Sequence, residues 1–70
     1  MSRKSSLAQN IKRLRKQLKL SQEELAKRAK VTYSTLIKIE SGVNKNPTII
    51  TLKKLAKVLK VSLDELVEED

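Results

Sequence analysis

At 70 residues, 39% of them hydrophobic, the chain has room for one small domain around a single apolar core. Cysteine and histidine are absent, which excludes disulfides, the common zinc sites and the usual general base of enzymes near neutral pH. The net charge of +8 is uneven, because residues 1–30 hold ten basic and two acidic residues whereas residues 61–70 hold five acids and no base. A basic body with an acidic end is typical of a protein that meets phosphates on one side, and a simple lysine-rich surface explains the charge equally well.

The first predicted helix follows from apolar residues that recur at steps of four, three and four: Leu7, Ile11, Leu14 and Leu18. This stripe predicts an amphipathic helix from about Leu7 to Lys19. Ser6 and Gln9 supply the side chains of a cap at its start.

Residues 21–42 contain two short predicted helices joined by a tight turn. Ser21 and Glu24 form a capping box, which begins a helix at Gln22. Ala26 lies on the inner face of that helix, and its methyl group leaves space for a second helix to cross closely. The helix that begins at Gln22 is therefore predicted to be the first helix of a helix-turn-helix.

The second half of the motif follows a turn that contains Lys30. Thr32 caps the next helix, and Gly42 ends it. Leu36 and Ile39 are three residues apart, which places both on the inward face. The two helices can meet only at a steep angle across so short a turn.

Two further helices are predicted downstream of the loop over residues 42–47. Thr48 caps a fourth helix, whose expected inward residues are Ile49, Leu52, Leu55, Ala56 and Leu59. Ser62 and Glu65 cap a short fifth helix, whose expected inner face is Leu63, Leu66 and Val67. No segment alternates like a strand, so we predict an all-α fold of about five helices in a single domain over residues 1–70.

The stretch SQEELAKRAKVTYSTLIKIESG resembles the helix-turn-helix of the lambda-repressor/Cro (Xre-type) DNA-binding family. Upstream, NIKRLRKQLKLSQEELA resembles the first helix of that family running into its second. Downstream, GVNKNPTIITLKKLAKVLKVSLDELV resembles the loop and the last two helices. The resemblance implies a compact five-helix lambda-repressor-like domain that binds double-stranded DNA sequence-specifically as a transcriptional regulator, most often a repressor. The second helix of the motif, here Tyr33 to Ser41, then reads the major groove.

The resemblance also implies roles for individual residues. Base contacts are expected from the outward face of the reading helix: Tyr33, Ser34 and Lys38, with Thr35 as a weaker candidate. Phosphate contacts are expected from the start of the first motif helix and from the loop: Gln22, Ser21, Ser41, Asn44, Lys45 and Asn46. A structural ion pair across helices 1 and 3 is expected between Arg15 and Glu40.

Each of these roles has a plainer alternative. Tyr33 is also explained as a cover over the turn, Lys38 as a solvated lysine and Gln22 as an ordinary first-turn residue. The Asn-Lys-Asn sequence is also explained as a soluble loop.

Two positions depart from the family pattern. Lys30 stands where the turn usually has glycine, so a left-handed backbone there costs about 1 kcal/mol. Ile37 falls where polar residues are commoner, and the sequence leaves open whether it meets a thymine methyl, a second protomer or the loop.

Three classes of function compete at this point. A DNA-binding homodimer, paired through the fifth helix and the loop before it, places two reading helices about 34 Å apart on an inverted repeat. The alternative is an antitoxin or adaptor that regulates its own operator and binds a partner protein. A membrane or RNA binder accounts for the charge but not for the motif, and no catalytic set of residues is present. We therefore expect a cytoplasmic, nucleoid-associated protein that is not an enzyme and has no cofactor, metal or membrane span.

Overall fold

The computed structural model describes residues 6–67, and the last three acids of the predicted acidic end, residues 68–70, lie outside this range. The described chain forms five α-helices and no β-strand, which confirms the predicted fold class. The helices are α1 (Leu7–Gln17), α2 (Gln22–Ala29), α3 (Tyr33–Glu40), α4 (Ile49–Leu59) and α5 (Leu63–Val67). Within residues 6–67, no helix combines the length and the apolarity that crossing a membrane requires.

Side chains cap the start of every helix in the described chain. Three caps are reciprocal boxes in which a serine hydroxyl and a Gln or Glu side chain each accept a backbone N–H at 2.8–3.2 Å: Ser6 with Gln9, Ser21 with Glu24, and Ser62 with Glu65. The hydroxyls of Thr32 and Thr48 accept the N–H groups of Thr35 and Thr51 at 3.1 and 3.2 Å. Each cap satisfies an N–H without an intrahelical acceptor and is worth about 1 kcal/mol. All five predicted caps are confirmed.

Left-handed residues lie at or just after the ends of four of the five helices in the described chain. Lys30 and Lys60 are the C-caps of α2 and α4, with φ of 59° and 63°, and Lys19 has φ 59° just after α1. Gly42 has φ 84° just after α3. Only glycine adopts this conformation at no steric cost, so each lysine carries a penalty of about 1 kcal/mol.

The core is a single cluster to which all five helices and the α1–α2 turn contribute. Its buried apolar residues are Ile11, Leu20, Leu25, Ala26, Ala29, Leu36, Ile39, Leu52, Leu55, Ala56, Leu59 and Leu66. Helix α2 packs on α3 and α4, whereas α1 packs on α3 and α5. The buried amide of Asn10 donates from Nδ2 to the Leu66 carbonyl at 2.9 Å and joins α1 to α5. The motif helices α2 and α3 are therefore supported from behind by the other three.

The predicted end of α1 at Lys19 was wrong, because the helix ends at Gln17. Leu18 is its C-cap and is 38% exposed rather than part of the inward stripe. The left-handed turn at Lys19 redirects the chain, and the N–H of Leu20 donates to the Arg15 carbonyl at 3.1 Å. Leu20 then enters the core in place of Leu18.

Two other apolar residues expected inside are exposed. Ile49 is the first residue of α4 and is 58% exposed, whereas the buried residues of that helix begin one turn later at Leu52. Val67 is 45% exposed at the end of α5, where Leu66 occupies the buried side of a five-residue helix.

We expect Lys30→Gly to raise the free energy of unfolding by about 1 kcal/mol, because glycine adopts the left-handed C-cap without the Cβ penalty. The matched control is Lys27→Gly within α2, which loses about 1 kcal/mol of helix propensity. Urea unfolding of both variants measures the two effects. If Lys30→Gly destabilises as much as Lys27→Gly, the C-cap is not left-handed in solution.

Candidate nucleic-acid interface

Helix α3 presents one buried and one open face. Leu36 and Ile39 lie in the core, and Ser34 and Lys38 lie exposed on the opposite side, four residues apart. Tyr33, the first residue of the helix, is 48% exposed. The structure therefore brings the three main candidates for base contact onto the open side of one helix.

A buried carboxylate holds the other end of α3. Glu40, 3% exposed, receives Arg15 Nε on Oε2 at 2.8 Å and Arg15 Nη2 on Oε1 at 3.1 Å. Its Oε1 also accepts Gln22 Nε2 at 2.9 Å. We call these three side chains the Glu40 junction. They join the last turns of α1 and α3 to the first residue of α2.

Arg15 also secures the turn before the motif. Its third nitrogen, Nη1, donates to the Leu20 carbonyl at 2.9 Å, and the side chain is only 11% exposed. A two-point pairing with Glu40 and a bond to the α1–α2 turn leave this guanidinium little freedom. The expected ion pair between Arg15 and Glu40 is present in the structure.

The start of α2 carries two of the predicted phosphate contacts. Ser21 caps the helix and Gln22 is its first residue, half-buried beside Glu40. The N–H groups of Gln22 and Glu23 find no acceptor in the part of the chain that the structure describes. Free amides at a helix N-terminus favour an anion.

Glu24 completes this cap and its ionisation is shifted. The backbone N–H of Ser21 donates to Glu24 Oε1 at 2.8 Å and lowers the pKa of that carboxyl below its ordinary value of 4.5. The Ser21 hydroxyl lowers the pKa further, desolvation opposes it, and the charge of Arg28 makes the least contribution to the lowering. The charged form of Glu24 is therefore the one that stabilises the start of α2.

The loop after α3 is folded by its own polar groups. The Ser41 hydroxyl donates to the Lys38 carbonyl at 3.2 Å, and Asn44 Oδ1 accepts the N–H of Asn46 at 3.0 Å. Lys45 lies exposed between them. Of the predicted phosphate contacts in this loop, Ser41, Lys45 and Asn46 are exposed and Asn44 is half-buried. The side chains of Ser41 and Asn44 already make hydrogen bonds, to the last turn of α3 and within the loop, respectively.

Two remaining positions of α3 lie at the edge of its open face. Thr35 is half-buried, and its Oγ1 accepts the Thr32 hydroxyl at 2.7 Å. Ile37 is also half-buried and lies at the boundary between the core and the surface.

Two long-range polar contacts, one at the start of α2 and one between α1 and α5, were missed by reasoning from the sequence. The bond from Gln22 to Glu40 joins residues 18 positions apart, and the bond from Asn10 to the Leu66 carbonyl joins residues 56 apart. Asn10 on the apolar side of α1 was the only local signal, because a polar residue at a core position needs a partner. Nothing local marks Gln22 as a partner of Glu40.

A comparison with protein families identifies the architecture, since the helix-turn-helix family model matches residues 11–66. The chain belongs to this family. It is of the Cro/C1 type, as the resemblance of residues 21–42 to the lambda-repressor/Cro family implied.

Curated relatives of this helix-turn-helix chain are transcriptional regulators. SinR of Bacillus subtilis is 41% identical over 63 residues, which cover 90% of this chain and 57% of SinR. The uncharacterized regulator y4dJ of Sinorhizobium fredii is 40% identical over 67 residues, which cover 96% of this chain and 86% of y4dJ. The chain spans only 31% of a third relative, from Coxiella burnetii, at 29% identity.

Two similar solved structures contain DNA. SinR in complex with DNA superposes with a TM-score of 0.84 at 42% identity, covering 86% of this chain and 95% of that one. The P22 c2 repressor in complex with a synthetic operator superposes with a TM-score of 0.85 at 29% identity, covering 94% and 98%. The five-helix arrangement is thus the lambda-repressor-like fold.

We expect Glu40→Ala to lower the free energy of unfolding by about 3 kcal/mol, because it leaves the mostly buried charge of Arg15 without its partner. Arg15→Ala should cost a similar amount. The control is Lys16→Ala, an exposed neighbour on α1, which should change stability by no more than about 0.5 kcal/mol. Urea unfolding measures these free energies. Equal losses of stability for Arg15→Ala and Lys16→Ala would show that the ion pair does not stabilise the fold.

The Glu24 pKa predicts a pH-dependent contribution to stability. Because the folded pKa is lowered, the stabilisation is complete above 4.5 and disappears as the pH falls through the folded pKa. Glu24→Gln keeps an oxygen that accepts the Ser21 N–H but does not titrate. Wild type should therefore exceed Glu24→Gln in stability at neutral pH and lose this advantage in acid, as followed by thermal unfolding. An advantage independent of pH would contradict the role of the charge.

Proposed function

We propose that the chain is a sequence-specific double-stranded DNA-binding transcriptional regulator, acting as a repressor, with α3 in the major groove. One observation carries the proposal. Core residues and the Glu40 junction hold one side of α3, while Tyr33, Ser34 and Lys38 are exposed to solvent on the remainder of the helix. Family membership supports it, and so do the DNA complexes of SinR and of the P22 c2 repressor.

Base recognition falls to the open side of α3. Lys38 is suited to the O6 and N7 acceptors of guanine, and Tyr33 offers an apolar ring edge to a thymine methyl and a hydroxyl to a base or phosphate. Ser34 donates or accepts, so its preference depends on the neighbouring contacts. Thr35 is the weaker candidate, because it is half-buried and its oxygen already accepts a hydrogen bond.

Phosphate contacts position the domain on either side of α3. The start of α2, with Ser21 and Gln22, faces one stretch of backbone, and the loop with Ser41, Asn44, Lys45 and Asn46 faces another. The charge of +8 supports such contacts, because neutralising phosphates releases counterions from the duplex. These contacts set the register and leave the choice of sequence to α3.

The protein is proposed to bind an inverted repeat as a homodimer through α5 and the loop before it. Val67 is exposed there, whereas Val61 is half-buried against the core. Val67 also lines a groove with Pro47 and Leu52, to which Lys45 and Asn46 of the loop after α3 contribute as well. Such pairing places two copies of α3 about 34 Å apart on one face of the duplex. It requires no cofactor or catalytic chemistry, and a cytoplasmic, nucleoid-associated location suits it.

A second candidate is an adaptor or antitoxin that also binds a partner protein. The observation in its favour is a structure of SinR with SinI, in which the SinR chain is 40% identical to this one and superposes with a TM-score of 0.87. The match covers 89% of this chain and 60% of that one. A stable complex with the product of a neighbouring reading frame, measured with both proteins purified, distinguishes this candidate from a regulator that acts alone.

Sequence readout is the most direct test. Selection from a random pool of duplexes should return an inverted repeat with half-site centres about 10 base pairs apart. Replacing Tyr33, Ser34 or Lys38 by alanine should change the preferred base at particular positions of both halves, by about 1 to 3 kcal/mol for each direct contact. Strong binding without any enriched sequence would leave only a non-specific anion binder.

We expect Lys45→Ala to weaken binding to specific and random duplexes alike and to make log affinity depend less steeply on log salt, because a phosphate contact is lost. Gln22→Ala should also weaken binding to specific and random duplexes. It should change the salt dependence of the affinity less than Lys45→Ala does, because the glutamine side chain is neutral. Lys54→Ala is the matched control, an exposed lysine on α4 away from the loop. Equal slopes for wild type and Lys45→Ala would show that this lysine does not face phosphate.

A further inference from the structure

The orientation of the Gln22 amide is determined by a neighbour that does not itself face the surface. Gln22 Nε2 lies 2.9 Å from Oε1 of Glu40, and Glu40 is 3% exposed. An ionised carboxylate only accepts hydrogen bonds, so the nitrogen end of the amide must face Glu40. An exposed glutamine has no such preference and turns over freely.

The amide nitrogen of Gln22 has one hydrogen to spare. The amide group carries two hydrogens on Nε2, and Glu40 accepts one of them. Within residues 6–67 the Gln22 side chain makes no other hydrogen bond. The second hydrogen on Gln22 Nε2 and the free backbone N–H groups of Gln22 and Glu23 are therefore all donors located at the N-terminus of α2.

A phosphate oxygen, like a carboxylate oxygen, only accepts. We propose that Glu40 is a positioning residue for DNA binding: its carboxylate holds the Gln22 amide with the nitrogen toward the duplex backbone, so that Nε2 bridges Glu40 and a phosphate. Turning the amide over exchanges its donor and acceptor ends and places an oxygen against the phosphate. The inference rests on the proposed DNA-binding function and adds a residue that acts on DNA only through Gln22.

Arg15 makes this arrangement tolerable electrostatically. A carboxylate near a phosphate contact would repel the phosphate if it were uncompensated. The guanidinium binds both carboxylate oxygens, at 2.8 and 3.1 Å, and neutralises the charge within the protein. Glu40 therefore orients the donor without opposing the duplex.

A double-mutant cycle on a mixed-sequence DNA duplex tests the proposal. In the wild-type background, Gln22→Met removes both amide hydrogens at similar size and should weaken binding about tenfold. In the Glu40→Gln background, where a neutral amide no longer selects the nitrogen end, the same change should weaken binding less than about twofold. Lys45→Ala is the control and should weaken binding by the same factor in both backgrounds. Thermal unfolding establishes that each variant is folded at the assay temperature.

The outcomes separate the inference from the function on which it rests. If Gln22→Met costs the same in both backgrounds, or nothing in either, Glu40 does not position Gln22 for DNA, although binding itself stands. If wild type does not bind the duplex and Lys45→Ala has no effect, the proposed function fails. Only a loss at Gln22 that depends on Glu40 supports the inference.

A measurement on the wild-type protein covers the case in which Glu40→Gln does not fold. In nuclear magnetic resonance spectra, the side-chain amide hydrogens of Gln22 should exchange with water more slowly than those of exposed Gln17. Adding the mixed-sequence duplex should shift one Gln22 hydrogen strongly and leave the one on Glu40 nearly unchanged. Exchange as fast as that of Gln17, or shifts of both hydrogens to new values, would overturn the proposal.

Discussion

A single buried carboxylate constrains the arrangement of the motif. Burying a negative charge is costly unless donors surround it, and Glu40 receives three, two from Arg15 and one from Gln22. The donors belong to α1 and α2, whereas the carboxylate belongs to α3. The three helices therefore cannot rotate against one another without leaving a buried charge poorly paired.

This constraint divides the residues of α3 between two tasks. Leu36, Ile39 and Glu40 keep the helix in place, and changing them costs stability. Ser34 and Lys38 lie on the opposite side and make no contact that the core requires. We therefore expect an outward residue of this kind to be replaceable at little cost to the fold.

Much of the fold was predictable because its signals are local. The capping boxes lie within four residues, and the spacing of apolar residues gives each helix its inner face. Leu18 and Ile49 were misplaced because periodicity does not show where a helix ends or which turns a neighbour covers. The contact of Gln22 with Glu40 was not predictable, since it depends on how α2 and α3 cross. The Arg15–Glu40 pair was foreseen only through resemblance to a family.

The central claim is that the start of α2, the open side of α3 and the following loop meet DNA. A titration of isotope-labelled protein with a DNA duplex, followed by the backbone amide resonances, tests it most directly. We expect the resonances of residues 21–24, 33–38 and 41–46 to shift together, while those of Lys53 and Lys57 on the outer side of α4 stay nearly unchanged. Shifts centred on the α4 lysines, with α3 unaffected, would contradict it.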